Sequence, residues 1–273
     1  MPRHGFSAND HKRYVAKENM SLEYYANDWE RHKMNGKTQP FYKFEDDRSE
    51  AEEIDKALSF LVEQNFLLHN QYDKDLFDLH RKEVKSNFVI PWTGISNRMH
   101  RMIYSINAIN QPKSTVAVGI FCGYTFICNT GASIGDGSCY KAEKIIGIEI
   151  DENLAQEARL NISKIDKRKV AKIIAVDGIE WFKTYNNKID LLYIDATGGA
   201  GNKSLYFNIL KSAYHLLDKN SIVLAHNSVN EGEYLKEYLE FVRDEKYFKK
   251  SVNLIIDEAG LELTSGKAYE KDI

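Results

Sequence analysis

The sequence predicts an α/β fold, a doubly wound, mainly parallel seven-stranded sheet with an antiparallel last strand, preceded by an N-terminal helical cap. Two observations carry this. From residue 114 onward, short runs rich in β-branched residues alternate with stretches of helical period. That alternation builds βαβ units and a sheet covered on both faces. Before residue 110 there are helix signals and no convincing strand, so the chain divides into a cap over 1–110 and an α/β domain over 111–273.

The cap elements follow in order. SLEYYANDWERH (21–32) opens on a serine suited to an N-cap, with Glu23 in the first turn, and reads as a helix. AEEIDKALSFLVEQNFLL (51–68) places Ile54, Leu58, Leu61, Phe66 and Leu67 at largely helical spacing. DKDLFDLHRKEV (73–84) and SNRMHRMIYSINAI (96–109) complete the cap, the last with Ser96 as its cap residue. Pro91 and Gly94 interrupt NFVIPWTGIS (87–96) between them. The strands are then STVAVGI (114–120), KIIGIEI (144–150), AKIIAV (171–176), KIDLLYID (188–195) and NSIVLAH (220–226). KSVNLIID (250–257) and LELT (261–264) are separated only by a turn, which predicts a hairpin and an antiparallel strand at one edge.

Composition excludes several classes. Of 273 residues, 43% are hydrophobic and 28% charged, which suits a soluble domain with a sizeable core. A net charge of −3 leaves no basic footprint for nucleic acid. The first residues lack a signal-peptide apolar region, and no run approaches the roughly 20 apolar residues of a membrane span. Cys122, Cys128 and Cys139 show no CxxC spacing, and their odd number suits a reducing compartment. The expectation is a cytoplasmic protein with no membrane and no nucleic-acid partner; a homodimer stays open.

VAVGIFCGYT (116–125) ends an apolar run with Gly119 and Gly123. In such sheets ligands bind beyond the carboxyl ends of the strands, and glycines there admit a ligand to the backbone. A tight turn without a ligand would use the same pair. Glu149, at the tip of IIGIEID (145–151), is placed to accept both hydroxyls of a ribose, or is a solvated strand-end acid. Asp177-Gly178 follows the third strand, where the acid takes an adenine amino group or caps the next helix.

VAVGIFCGYT, IIGIEID, AVDGIEWF, IDLLYIDA and IVLAHN, in this order, resemble the class I S-adenosylmethionine-dependent methyltransferases. They are especially similar to the O-methyltransferases of the catechol and caffeoyl-CoA type. The resemblance runs from about residue 87 to 265 and implies a Rossmann-like sheet with S-adenosylmethionine (SAM) as cofactor. It would make Gly119, Phe121, Gly123 and Thr125 the methionine-side loop, Glu149 the ribose acid, and Asp177 with Gly178 the adenine neighbours. A nicotinamide-dependent enzyme would need one residue between its first two glycines, and here three stand between them.

The chain departs from the family pattern in two places. The acid that normally stands two residues before the first glycine is Ala117, which leaves a SAM ammonium in need of another partner. Many relatives hold a divalent ion with an Asp at the IDA strand end and an Asp-Asn pair after the next strand. Here Asp195 is present, but the pair reads His226-Asn227, which removes a charge and an oxygen that a hard ion prefers. No metal is therefore expected, although a His/Asp/Asn set could hold a transition metal; Asp195 and His226 are the catalytic candidates, with His226 as general base or substrate hydrogen-bonding group, or else a structural histidine. Asn227, Trp92 and Thr93 are the substrate-side candidates. Lys203 resembles the family's lysine after the strand-end acid, but the glycine-rich loop before it favours a solvated side chain. Cap aromatics (Tyr24, Tyr25, Trp29, Phe41, Tyr42, Phe44) either close the pocket or simply pack cap on core.

The expected function is methyl transfer from SAM to the oxygen or nitrogen of a small molecule; IDATGG in place of (D/N)PP(Y/F) argues against a nucleobase amine. A second reading keeps SAM but attacks its aminoacyl chain and releases methylthioadenosine, as in azetidine-2-carboxylate synthases or aminocarboxypropyl transfer. A third is a SAM-binding protein without catalysis.

Overall fold

A computed structural model describes residues 22–32, 45–91, 93–198 and 201–268. Eight strands form one sheet: β1 (Leu22–Tyr25), β2 (Ser114–Val118), β3 (Lys144–Glu149), β4 (Ala171–Ala175), β5 (Leu191–Ile194), β6 (Ile222–His226), β7 (Phe248–Ile255) and β8 (Leu261–Lys267). Their spatial order is β1-β7-β8-β6-β5-β2-β3-β4. Only the pairs made by β8 are antiparallel.

Two expectations are corrected. The stretch 21–32 was expected as a helix, yet Leu22–Tyr25 is an eighth strand, paired in parallel with β7 from Leu22↔Val252 to Tyr25↔Ile255. Leu22 and Tyr24 turn onto the core while Tyr25 is exposed. Free hydrogen-bonding groups on the β7 edge outweigh a weak local helix signal. The antiparallel strand is also not at an edge, because β8 inserts between β6 and β7 and pairs with both.

The helices are α1 (Asp47–Glu63), α2 (Lys74–Asn87), α3 (Asn97–Asn110), α4 (Tyr124–Thr130), α5 (Glu152–Ile165), α6 (Gly178–Phe182), α7 (Tyr206–Ala213) and α8 (Lys236–Val242). Side-chain caps set several starts: Asp46, Asp73, Ser96, Asp151 and Asp177 each accept from a backbone N–H in the first turn. The helix expected over 51–68 begins earlier, because Asp46 caps it, and ends where Asn65 turns left-handed.

The residues of β2 to β6 alternate between two cores. In β2, Val116 and Val118 join the side covered by α6, α7 and α8, while Ala117 joins the side covered by α1 to α5. This two-sided burial is why the strands read as unbroken apolar runs. The N-terminal helices share that second core with the sheet, through Ile54, Leu58, Leu61, Met99, Met102 and Ile106. Among the described residues no helix is long and apolar enough to cross a membrane.

Candidate functional site

Two adjoining cavities open at the carboxyl ends of β2, β3, β5 and β6. The larger, about 410 Å³, is lined among others by Thr93, Ser96, Thr125, Lys203, His226 and Asn227. The smaller, about 240 Å³, has Glu149, Asp177 and Gly178 beside the apolar walls of Ile148, Leu154 and Ile179. Gly119, Phe121, Asp195 and Thr197 line both.

The glycine loop is shaped by the protein itself. Gly119 has φ +80, and a Cβ there would come within 2.3 Å of the Ala196 backbone, so only glycine fits where β2 leaves the sheet. Gly123 lines neither cavity; it starts α4 at φ +90 and lies against Ala158 of α5. Between them Phe121 sits at φ +49, half exposed, with its N–H donated to Glu149 Oε2 at 2.8 Å. Oε1 of the same carboxylate accepts from the N–H groups of Ile150 (2.9 Å) and Asp151 (3.2 Å). A carboxylate has about four acceptor positions, so Glu149 is already largely engaged in tying the first loop to the end of β3. Asp177 caps α6 through Oδ1, accepting from Ile179 N at 2.7 Å and Glu180 N at 3.2 Å.

At the next strand ends, parallel register does the placing. Ile194 pairs with Ala225, so Asp195 and His226, each one residue further on, arrive side by side. His226 Nδ1 lies 3.5 Å from Asp195 Oδ2, and both side chains are largely buried. A carboxylate can only accept, so a proton on Nδ1 faces Asp195, and in the neutral imidazole that tautomer leaves Nε2 with a lone pair. Nε2 is buried and has no hydrogen-bond partner. Asp195 Oδ1 accepts from Lys203 Nζ at 2.7 Å and from Tyr206 Oη at 3.4 Å. Burial alone would raise the Asp195 carboxyl, but the Lys203 ammonium, and then His226, outweigh it and hold it down at about 2.

Lys203 is therefore a site residue, contrary to the expectation of a solvated side chain. The turn does this: Gly198 N–H bonds Asn202 O at 2.7 Å and folds the loop back onto β5. The remaining candidates divide. Thr93, Thr125 and Asn227 face the larger cavity, Asn227 in a left-handed conformation with Nδ2 donating to Asn230 Oδ1 at 3.0 Å. Trp92, Phe41, Tyr42 and Phe44 lie outside the described residues. Tyr24 packs on the Phe60 ring at 5.4 Å and donates to Glu53 at 2.6 Å, so it is committed to packing. Ala117 is fully buried between Gly147 and Tyr193 of the neighbouring strands, so the position of the missing acid lies within the sheet. Reading the sequence missed Tyr124, Thr197 and Asn230 as cavity residues; none stands in a pattern that points to chemistry.

A hard divalent ion does not fit this arrangement. Both oxygens of Asp195 already face cationic or donor groups, and the neighbouring strand offers an imidazole where an oxygen would be needed.

No protein-family model matches the chain. Among solved structures it is similar to an O-methyltransferase of Bacillus cereus in complex with S-adenosylhomocysteine, at 14% identity and TM-score 0.54, covering 78% of this chain and 97% of that one. A methyltransferase of Podospora anserina bound to the same nucleoside aligns at 19% identity and TM-score 0.55, over 79% and 96% of the two chains. An O-methyltransferase of Streptomyces achromogenes, in complex with SAM, aligns at 12% identity and TM-score 0.53, over 77% and 96%. The chain thus has the class I methyltransferase fold that its motifs resemble. It is also 30% identical over 89 residues to a polyamine aminopropyltransferase of Thermococcus onnurineus. That match spans 30% of this chain and 31% of the relative, about a third of its length.

Proposed function

We propose that the chain is a SAM-dependent methyltransferase acting on a small molecule through His226 as general base. The observation that carries this reading is that Asp195 lines both cavities and pairs with His226, which lines the larger one and whose buried Nε2 has no hydrogen-bond partner. SAM would be held by the Gly119–Thr125 loop and Glu149, with Asp177 and Gly178 beside the adenine. The apolar walls and strand-tip acids of the smaller cavity fit a nucleoside. When bound, SAM supplies a methyl carbon already activated by its sulfonium.

The protein's own contribution is alignment and proton removal. His226 Nε2 takes the proton of the acceptor's hydroxyl or amine as that group becomes a nucleophile. Asp195 fixes the imidazole tautomer and stabilises the imidazolium that forms. Thr93, Thr125 and Asn227 offer hydrogen-bonding groups for orienting the acceptor. Tyr124, Phe121 and Ile95 form a less polar wall of the cavity. The loop before α3 covers the site in this reading, since it contributes Ile95 and Ser96 to the cavity.

Calorimetry tests the cofactor. SAM should bind the wild type and lose about tenfold or more in affinity in Glu149→Ala, with an unchanged circular dichroism spectrum. Unaltered affinity in that variant would remove Glu149 from the cofactor site, and no binding to the wild type would end the SAM reading.

A second reading has its own support in Ala117 and in the partial likeness to an aminopropyltransferase. Attack on the aminoacyl chain of SAM releases methylthioadenosine, whereas methyl transfer releases S-adenosylhomocysteine. Incubation with SAM, with and without an acceptor panel, followed by mass spectrometry of the nucleosides, separates the two. We expect S-adenosylhomocysteine, and only with an acceptor present; enzyme-dependent methylthioadenosine from SAM alone would replace the methyltransferase reading.

A further inference from the structure

Lys203 makes more contacts than a lysine balancing one carboxylate requires. Its Nζ lies 2.7 Å from Asp195 Oδ1, 3.0 Å from the Asp195 carbonyl oxygen and 3.3 Å from Thr197 Oγ1. An ammonium has three N–H donors, and all three are committed to these oxygens. The group therefore has no donor left for a substrate and no lone pair with which to remove a proton. Its side chain is only 14% exposed, and Nζ also sits 5.9 Å from the centre of the Tyr206 ring. Carboxylate, carbonyl and hydroxyl oxygens converging on one cation are the donor set that a hard metal ion selects.

We infer that Lys203 is an internal cation in the place a divalent ion would take against Asp195, and a positioning residue that turns Asp195 toward His226. The inference rests on the proposed Asp195–His226 pair. With one carboxylate oxygen held by Lys203, the other is left to face Nδ1, which favours the neutral tautomer with Nε2 bare. Arginine at 203 would keep the charge; methionine would keep the volume and lose it.

The test has two readouts that do not depend on turnover. Mn²⁺ binding, followed by electron paramagnetic resonance, is compared in the wild type, His226→Asp and Lys203→Met/His226→Asp. The wild type should leave Mn²⁺ free. Removing Lys203 from the His226→Asp chain should tighten Mn²⁺ binding by at least about tenfold, because a cation no longer repels the ion. Equal affinity in those two variants would overturn the inference. So would Mn²⁺ binding to the wild type that Asp195→Asn abolishes. Independently, the ¹⁵N spectrum of His226 in the wild type should show Nδ1 protonated and Nε2 bare, with Lys203→Arg alike and Lys203→Met shifted to mixed tautomers. A protonated Nε2 in the wild type, or no change in Lys203→Met, would also overturn it. The wild-type arms need no variant to fold. SAM calorimetry on the same samples keeps the readings apart: absent SAM binding would sink the proposed function while leaving the Mn²⁺ and tautomer results to judge Lys203.

Discussion

Two clusters of buried ionisable side chains can be compared directly, one at the strand ends and one inside the helical layer. In the first, Asp195, Lys203 and His226 border a cavity of about 410 Å³. In the second, Glu50 of α1 accepts from Arg81 of α2 and Arg101 of α3, the latter at 2.6 Å. Both guanidinium groups lie on the Phe77 ring, at 4.4 and 4.2 Å from its centre. Beside them His80 and His100 meet edge to face at 4.9 Å, and His80 stacks on Tyr104. A Cβ at Gly131 would come within 2.0 Å of the His80 ring, so that glycine makes room for it. None of these side chains lines either cavity.

Both clusters hold buried histidine nitrogens without hydrogen-bond partners. What separates them is space and orientation. His226 lines a cavity beside a carboxylate, whereas His80 and His100 line none and are enclosed by aromatic rings with arginines nearby. Burial and perturbed ionisation are shared by structural networks and functional sites alike, so neither identifies a site without a cavity to receive a ligand.

The comparison breaks most sharply at His226. His226→Phe should cut turnover by about two to four orders of magnitude while moving the urea midpoint little. A large loss of stability with turnover retained would make His226 a structural histidine like His80. The converse variant is Glu50→Ala, which strands two buried arginines. It should cost about 3–5 kcal/mol in urea unfolding and leave SAM affinity intact. A loss below 1 kcal/mol would mean the helical network contributes no more than a surface ion pair.

Acid should tell the clusters apart. Burial, and then Arg81, push His80 down to about 3, and burial, His80 and Arg81 push His100 well below its usual value. The unfolded chain protonates these histidines near pH 6.5 while the folded chain does not, so their share of stability is complete above that pH and declines below it. Two such groups should cost about 2 kcal/mol between pH 6.5 and 5.5, and His100→Phe should halve that slope in urea titrations. The depressed Asp195 carboxyl behaves differently: its contribution is present above the unfolded value of about 4 and is lost only as pH falls through about 2. A stability profile flat between pH 6.5 and 5.5 would contradict the sealed state of the histidine pair. The smallest effect is expected at Ser96, which caps α3 through Met99 N–H and donates to Asp257. Ser96→Ala should cost about 1 kcal/mol in the same assay.

The acids at strand tips were legible because a β run followed by a helix start marks a carboxyl end in any parallel sheet. Glu149, Asp177 and Asp195 each stand at such a junction, and His226 ends the run IVLAH. The cap of α3 was legible for a similar local reason, a serine immediately before a helical pattern. Lys203 was not, since a glycine-rich loop can carry its next side chain in many directions, and the Gly198–Asn202 bond selects one. The Glu50–Arg81–Arg101 network was equally hidden, because its members come from three helices whose packing no single segment specifies.

The sequence by itself determined the alternation of strands and helices, the glycine turn after β2 and the acids at the carboxyl ends of β3 and β4. Each depends on the backbone preferences and apolar period of neighbouring residues, which act within a few positions along the chain. Tertiary structure alone decided that Leu22–Tyr25 is a strand, that β8 enters the sheet between β6 and β7, and that Lys203 closes on Asp195. In these cases the partner lies elsewhere in the chain or across a turn, and the free energy comes from pairing an open strand edge or neutralising a buried charge. Neither term exists until the sheet has formed.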